Sequence, residues 1–109
     1  MKLEQKDSYS VAIAGATGLV GQEVRKILEE REFPVGRLVL LASDESAGER
    51  LRFAGETVRV EELDERWFND VDIAFFCLGG GLAKEYAPKA VERGCIAIDN
   101  SSAFRMEPD

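Results

Sequence analysis

Short apolar runs alternate along the chain with segments that show helical periodicity. Four runs are continuously apolar or rich in β-branched residues, which is typical of strands covered on both faces of a sheet; they span residues 10–14, 38–42, 71–78 and 95–98. Two other segments repeat apolar residues three and four positions apart, which predicts helices over 19–31 and 82–93. The chain therefore alternates between predicted strands and predicted helices.

Glycine and proline mark the ends of the two predicted helices. The first should end before Phe33-Pro34, because the residue that precedes a proline is displaced from the helical region. The second should end at Gly94, and Pro88 within it predicts a kink or a new first turn. Three consecutive glycines at 79–81 predict a turn ahead of this helix.

Two more segments lie between the second and third predicted strands. Residues 52–60 predict a small hairpin that turns at positions 54–55. Residues 61–70 are acidic, and we interpret them as a solvated connection held in place by Trp67 and Phe68 rather than as a metal site.

Strands that alternate with helices predict right-handed crossovers and an α/β fold with a doubly wound parallel sheet. Ligands of such sheets bind outside the carboxyl ends of the strands. Four loops should therefore meet in one crevice, and these are residues 15–21, 43–48, 78–81 and 99–105. This crevice is where we look for function.

The composition is that of an acidic globular protein, with 45% hydrophobic residues and a net charge of −7 over 109 residues. Without a basic cluster the chain should repel nucleic acid and anionic membranes, so neither is an expected partner. Its longest apolar run falls far short of the roughly 20 residues that cross a bilayer, and the N-terminus lacks the apolar core of a secretory signal. We therefore expect one domain, or part of one, that acts in the cytoplasm.

The cysteines and the missing histidine limit the chemistry of this chain. Cys77 and Cys95 each lie within an apolar run, which favours reduced core residues over a disulfide. No histidine is present, so these residues supply no histidine-based acid–base, nucleophilic or metal chemistry. We expect no metal site.

The first loop reads G-A-T-G-L-V-G and lies between a predicted strand and a predicted helix. Glycine allows close approach of a pyrophosphate, and the free N–H groups and dipole of a helix N-terminus attract it. Three glycines can also serve only a tight turn, but with both flanking elements present we favour dinucleotide binding. The candidate residues are Gly15, Thr17, Gly18, Leu19, Val20 and Gly21.

The second loop begins at Ser43, which is 22 residues after Gly21 and near the spacing at which such folds read the adenosine ribose. A carboxylate there, from Asp44 or Glu45, accepts hydrogen bonds from the 2′-hydroxyl of NAD. It also repels the 2′-phosphate of NADP by about 1 kcal/mol in water and about 4 at an intermediate dielectric, for charges about 4 Å apart. The alternative is that both carboxylates simply point into water.

Four segments resemble the aspartate-semialdehyde dehydrogenase family. They are G-A-T-G-L-V-G at 15–21, L-A-S-D-E-S-A-G at 41–48, G-G-G-L-A-K-E-Y-A-P-K-A at 79–90 and I-D-N-S-S-A-F-R-M at 98–106. The last segment is the most specific, because D-N-S-S-A-F-R-M has no purely structural explanation. The resemblance covers essentially the whole chain after its first eight residues.

The resemblance implies a Rossmann-like domain at the N-terminus of a two-domain enzyme. Residues 1–8 would be an extension and residues 9–109 a truncated dinucleotide-binding domain, with the catalytic and dimerisation domain absent from this chain. The family reduces L-aspartyl 4-phosphate to L-aspartate 4-semialdehyde with NADPH and releases phosphate, which commits carbon to lysine, threonine and methionine. The implied partners are NADP or NAD, aspartyl phosphate, phosphate and, for the full-length protein, further copies of itself.

The resemblance also assigns roles to individual residues. The implied contacts with the cofactor pyrophosphate come from Thr17, Gly18, Leu19 and Val20. Ser43 and Ser46 would lie near the adenosine ribose and its 2′-phosphate. Gly79, Gly80 and Asn100 would approach the nicotinamide side. Arg105 would bind the acyl phosphate or inorganic phosphate, which suits the fork of a guanidinium group. A surface arginine without a partner is the alternative at that position.

Two features depart from the family pattern. Glu45 stands where the family loop carries an arginine that holds the 2′-phosphate, and the reversed charge favours NAD or a paralogue with altered cofactor use. Neither Cys77 nor Cys95 matches the family's nucleophile, and the family's histidine is missing, so we assign no catalytic residue and expect this chain alone to be inactive. Two alternatives stay open: a non-catalytic dinucleotide-binding paralogue and N-acetyl-glutamyl-phosphate reductase. The reductase usually carries a histidine in the segment that reads F-F-C-L-G-G-G at 75–81 in this chain, which makes the aspartate enzyme the better match.

Overall fold

The structure, a computed structural model, describes residues 7–100 and contains one sheet with two long helices. The elements in chain order are β1 (Tyr9–Ala14), α1 (Leu19–Glu30), β2 (Val35–Ala42), β3 (Arg50–Phe53), β4 (Glu56–Glu62), a 3₁₀ turn (Glu65–Phe68), β5 (Ile73–Phe76), α2 (Gly80–Glu92) and β6 (Ile96–Asp99). Among the described helices, none is long and apolar enough to cross a membrane.

The sheet has the strand order β3-β4-β2-β1-β5-β6. Five strands run parallel, and β3 pairs antiparallel with β4 because a two-residue turn joins them. The α/β class is thus confirmed, with β3 making the sheet mixed. β1 lies between β2 and β5, so the chain adds strands first on one side of β1 and then on the other. The direction of the strand order therefore reverses at β1, and open α/β sheets bind their ligands at such a reversal.

Alternate residues of β1 enter two separate hydrophobic cores, one on each face of the sheet. Val11 and Ile13 pack with Leu28 of α1 on one face. Ala12 and Ala14 pack on the other face with a core that includes Phe68 and Phe76, whose rings lie 5.5 Å apart. Burial on both faces explains why the strand segments read as continuous apolar runs.

The ends of several elements differ from the predicted ones. β2 starts three residues earlier than its apolar run, because its first residues pair with β1 at the exposed end of the sheet. β5 is only four residues long, shorter than the apolar run 71–78. The three glycines do not form a separate turn, since only Gly79 precedes α2 and the helix then continues through Pro88 to Glu92.

The acidic segment is more ordered than a solvated connection. Asp64 caps the 3₁₀ turn by accepting a hydrogen bond from the Arg66 N–H at 2.9 Å. Phe68 is fully buried and Trp67 packs against the same core, so both aromatic residues hold the segment as predicted. No group of three or more potential ligand side chains in residues 7–100 is arranged to hold a metal ion.

Candidate cofactor-binding site

The carboxyl ends of the parallel strands coincide at one edge of the sheet. Ala14 lies opposite Leu41 in β2 and Phe76 in β5, and Phe76 lies opposite Asp99 in β6. The loops that follow β1, β2 and β5 therefore emerge side by side, as the sequence predicts, whereas the fourth predicted loop, 99–105, lies outside the described residues beyond position 100. Their convergence defines the candidate site.

Two glycines give the first loop its tight shape. Gly15 has φ +90°, and a Cβ atom there would collide with the backbone oxygen of Cys77. A Cβ atom at Gly21 would collide with the Gly15 oxygen and lie 2.9 Å from the Ala16 Cα. The loop is anchored from below by the Leu41 oxygen, which accepts hydrogen bonds from the N–H groups of Gly15 and Ala16 at 2.8 and 2.9 Å.

Gly18 and Gly79 are different, because nothing in the described protein requires glycine at either position. Each is the N-cap residue of a long helix, has an ordinary extended backbone and provides no side-chain cap. A Cβ atom at Gly18 would meet its nearest neighbour at 3.6 Å, and one at Gly79 would meet nothing within 4 Å. Two helix N-termini at the ligand-binding edge of the sheet thus carry exposed, unobstructed backbone, an arrangement that fits an approaching anion.

The second loop contacts the first through their side chains. The Thr17 hydroxyl donates to the Ser46 hydroxyl at 3.3 Å, so the structure brings these two predicted residues together. Within the loop, the Ser43 oxygen accepts hydrogen bonds from the N–H groups of Ser46 and Ala47, both at 3.0 Å. Ser43 and Glu45 are exposed at the edge of the crevice.

An arginine that sequence analysis did not single out, Arg59, approaches the second loop. Its Nη2 lies 3.9 Å from the position that a Gly48 Cβ would take, while its Nη1 forms an ion pair with the Glu61 Oε1 at 2.7 Å. Arg52 points elsewhere and donates to the Gly55 oxygen at 3.2 Å. The approach of Arg59 depends on the pairing of β4 with β2, which no local pattern indicates.

The remaining predicted residues lie around the same crevice or outside the described region. Leu19, the first residue of α1, is 77% exposed, and Val20 is partly buried beside it. The Asn100 N–H donates to the Phe76 oxygen at 2.8 Å, and its side-chain Oδ1 is buried without a hydrogen-bond partner among the described residues. Gly80 lies in the first turn of α2, whereas Arg105 lies outside residues 7–100.

The two cysteines are unpaired and their thiols are suppressed as nucleophiles. Burial, with the negative charge of Asp99, raises the pKa of Cys77 to about 11. Burial also raises the pKa of Cys95 to about 11, with a further contribution from Asp72, and its thiol donates to the Phe68 oxygen at 3.3 Å. Reactive thiols need the opposite shift, because the thiolate is the nucleophile.

Alkylation of the folded protein should therefore be slow at neutral pH and accelerate as the pH rises toward about 11. The folded state holds these protons more tightly than the unfolded state. The free energy of unfolding should therefore decrease as the pH rises from the ordinary thiol pKa, about 8.5, to the raised value. Iodoacetamide labelling followed by mass spectrometry, with urea-unfolded protein as the control, measures both thiols. A thiol that is labelled as fast in the folded as in the unfolded protein would contradict this assignment.

The fold and crevice define the class of protein: the chain belongs to the family described as semialdehyde dehydrogenase, NAD binding domain, whose model matches residues 10–109. The family resemblance seen in the sequence is confirmed. The chain is 53% identical over 102 residues to the aspartate-semialdehyde dehydrogenase of Aquifex aeolicus (strain VF5), and 50% identical over 101 residues to aspartate-semialdehyde dehydrogenase 2 of Vibrio cholerae serotype O1. Each match covers 93% of this chain and 30% of the relative, so the chain spans less than a third of their length.

Solved structures show the same relationship. The chain resembles the crystal structure of aspartate semialdehyde dehydrogenase II from V. cholerae in complex with ASA, with a TM-score of 0.84 and 49% identity over 94% of this chain and 34% of that one. A crystal structure of RSP in complex with beta-NADH has a TM-score of 0.62 at 19% identity, over 89% of this chain and 57% of that one. The latter shows the fold alone.

Proposed function

We propose that this chain is the cofactor-binding part of an aspartate-semialdehyde dehydrogenase and holds a nicotinamide dinucleotide across the carboxyl edge of its sheet. The observation that carries the proposal is the pair of helix N-termini at Gly18 and Gly79. Both are exposed, and packing among residues 7–100 does not require glycine at either position. The identity of about 50% to aspartate-semialdehyde dehydrogenases supports the substrate class and favours it over the two alternatives raised by the sequence.

The contacts follow from the position of each loop. The backbone of Thr17, Gly18, Leu19 and Val20 would hold the pyrophosphate at the start of α1, where the N–H groups of a first helical turn lack intrahelical partners. Ser43, Glu45 and Ser46 would surround the adenosine ribose. On the other side, Gly79 and Gly80 would approach the nicotinamide half at the start of α2. The Oδ1 of Asn100, which has no hydrogen-bond partner among residues 7–100, would be an acceptor for it.

The cofactor would supply hydride chemistry, and this chain would supply binding and orientation. Its cysteines have raised pKa values and it contains no histidine, so a covalent thioacyl step would need an activated thiolate from elsewhere. Arg105 would hold the acyl phosphate of the substrate or inorganic phosphate. We place the enzyme in the cytoplasm as a homo-oligomer, and the two reduced cysteines are consistent with that compartment.

Titration calorimetry of the protein with NAD and with NADP tests the proposal. We expect saturable binding of at least one dinucleotide, but no phosphate-dependent reduction of it when aspartate semialdehyde is added to this chain alone. An aspartate-semialdehyde dehydrogenase added in trace amount is the positive control for the activity assay. Binding of neither dinucleotide would contradict the cofactor assignment, and turnover by the purified chain would contradict the inactivity.

A further inference from the structure

A side chain on the first turn of α1 holds the outer half of the first loop. The Gln22 Nε2 donates to the Thr17 backbone oxygen at 2.8 Å. The inner half of the loop, at Gly15 and Ala16, is anchored on the Leu41 oxygen, whereas within residues 7–100 no backbone group anchors Thr17 in this way. Thr17 is instead held by two side chains: Gln22 at its carbonyl and Ser46 at its hydroxyl, the latter at 3.3 Å.

Fixing the Thr17 carbonyl also fixes the peptide group that follows it. The C=O and N–H of a trans peptide point in opposite directions. With the Thr17 oxygen directed to Gln22, the Gly18 N–H points the opposite way within the same peptide plane and donates to the Gly15 oxygen at 3.2 Å. A Thr17 carbonyl that rotated toward the crevice would instead present a partial negative charge to a pyrophosphate.

We propose that Gln22 is a positioning residue for dinucleotide binding, which acts through the Thr17–Gly18 peptide without needing to touch the ligand. The inference rests on the proposed function. It adds a residue that the glycine pattern does not include, and it assigns that residue to the pyrophosphate half of the ligand. Preorganised loops bind more tightly because less ordering is required when the ligand arrives.

The test compares ligands that do and do not contain the pyrophosphate. Gln22→Met keeps the side-chain length but cannot donate a hydrogen bond. By calorimetry it should bind NAD and ADP about three- to tenfold more weakly than the wild type, which is the typical range for one lost hydrogen bond. Its affinity for adenosine, which lacks the phosphates, should be unchanged. A general loosening of the fold would instead weaken all three ligands.

Lys26→Met is the matched control, because Lys26 is exposed one helical turn further along the same helix. It should leave the ADP affinity within about twofold of the wild type at about 150 mM salt, where exposed charges are screened beyond about 8 Å. Gln22→Ala serves as a second variant, since alanine favours helix and should reproduce the loss if Gln22→Met folds poorly. Thermal unfolding checks each variant.

Wild-type affinity of both Gln22 variants for NAD and ADP would overturn the inference, as would an equal loss for adenosine. These outcomes differ from a failure of the proposed function. If the wild-type protein itself bound neither NAD nor NADP, the proposed function and the inference would both be overturned. Dinucleotide binding that is insensitive to Gln22 would overturn the inference alone.

Discussion

Gly18→Val should abolish dinucleotide binding and leave the protein folded. Valine can adopt the backbone of residue 18, which has φ −78° and ψ 174°, and its Cβ would meet the nearest described atom at an ordinary contact distance of 3.6 Å. The folding cost is limited to a poorer N-cap, about 1 kcal/mol. The isopropyl group would nevertheless fill the space over the N-terminus of α1, and we expect at least a hundredfold loss of affinity, about 2.7 kcal/mol.

Calorimetry with NAD and NADP measures this loss, and two other glycines provide comparisons. Gly55 lies at the turn between β3 and β4 and has φ +85°. Gly55→Ala should therefore lower the free energy of unfolding by about 1–2 kcal/mol, which is similar to the effect of Gly18→Val, without changing cofactor affinity. Gly21→Ala should destabilise the fold itself, because its Cβ collides with the Gly15 oxygen. Unchanged cofactor affinity in Gly18→Val would remove the first loop from the site.

Glu45→Arg should shift cofactor preference from NAD toward NADP by at least about tenfold in the ratio of affinities. A 2′-phosphate carries a charge of about −1.5 to −2 if it resembles other phosphomonoesters, so a carboxylate repels it and a guanidinium attracts it. Glu45 is exposed in the second loop, which also contains Asp44 and is followed by Glu49. The loop is therefore acidic where the bound ribose would lie.

Two of the neighbouring arginines already have partners in the structure. Arg59 approaches the loop at Gly48, but its guanidinium is already paired with Glu61 at 2.7 Å. Arg52 is occupied at the Gly55 oxygen. We therefore expect the wild type to favour NAD over NADP.

The measurement compares NAD and NADP affinity for the wild type and Glu45→Arg at about 10 mM and about 150 mM salt, where the Debye length is roughly 30 Å and 8 Å. An electrostatic effect should be larger at low salt. Glu56 is an exposed acid at the far end of β4, and Glu56→Arg, which changes the net charge by the same amount, is the control for overall charge. If the wild type prefers NADP and Glu45→Arg leaves that preference unchanged, Glu45 does not contact the ribose and the charge argument fails.

Much of the fold follows from patterns that are local in sequence. The apolar runs identify the strands β1, β2, β5 and β6, although β6 is only partly buried at the end of the described sheet. The helical periodicity identifies α1 and α2, because burial of side chains leaves a direct period in the sequence. The hairpin turn at 54–55 is likewise local. Element ends were less accurate: β2 and β5 differ by several residues from their apolar runs, since strand pairing rather than hydrophobicity sets where a strand ends.

The sequence by itself determined the α/β class, the loops that follow β1, β2 and β5, and the position of the glycine pattern between β1 and α1, because each depends on residues close together in the chain. Tertiary structure alone decided which groups meet across the loops. The Thr17–Ser46 contact, the approach of Arg59 to Gly48 and the buried Oδ1 of Asn100 all depend on strand order and register. Tertiary structure also separated the glycines that the fold requires, such as Gly15, from those that it leaves open, such as Gly18. Both belong to the same motif, but the atoms that surround each of them are set by the folded chain.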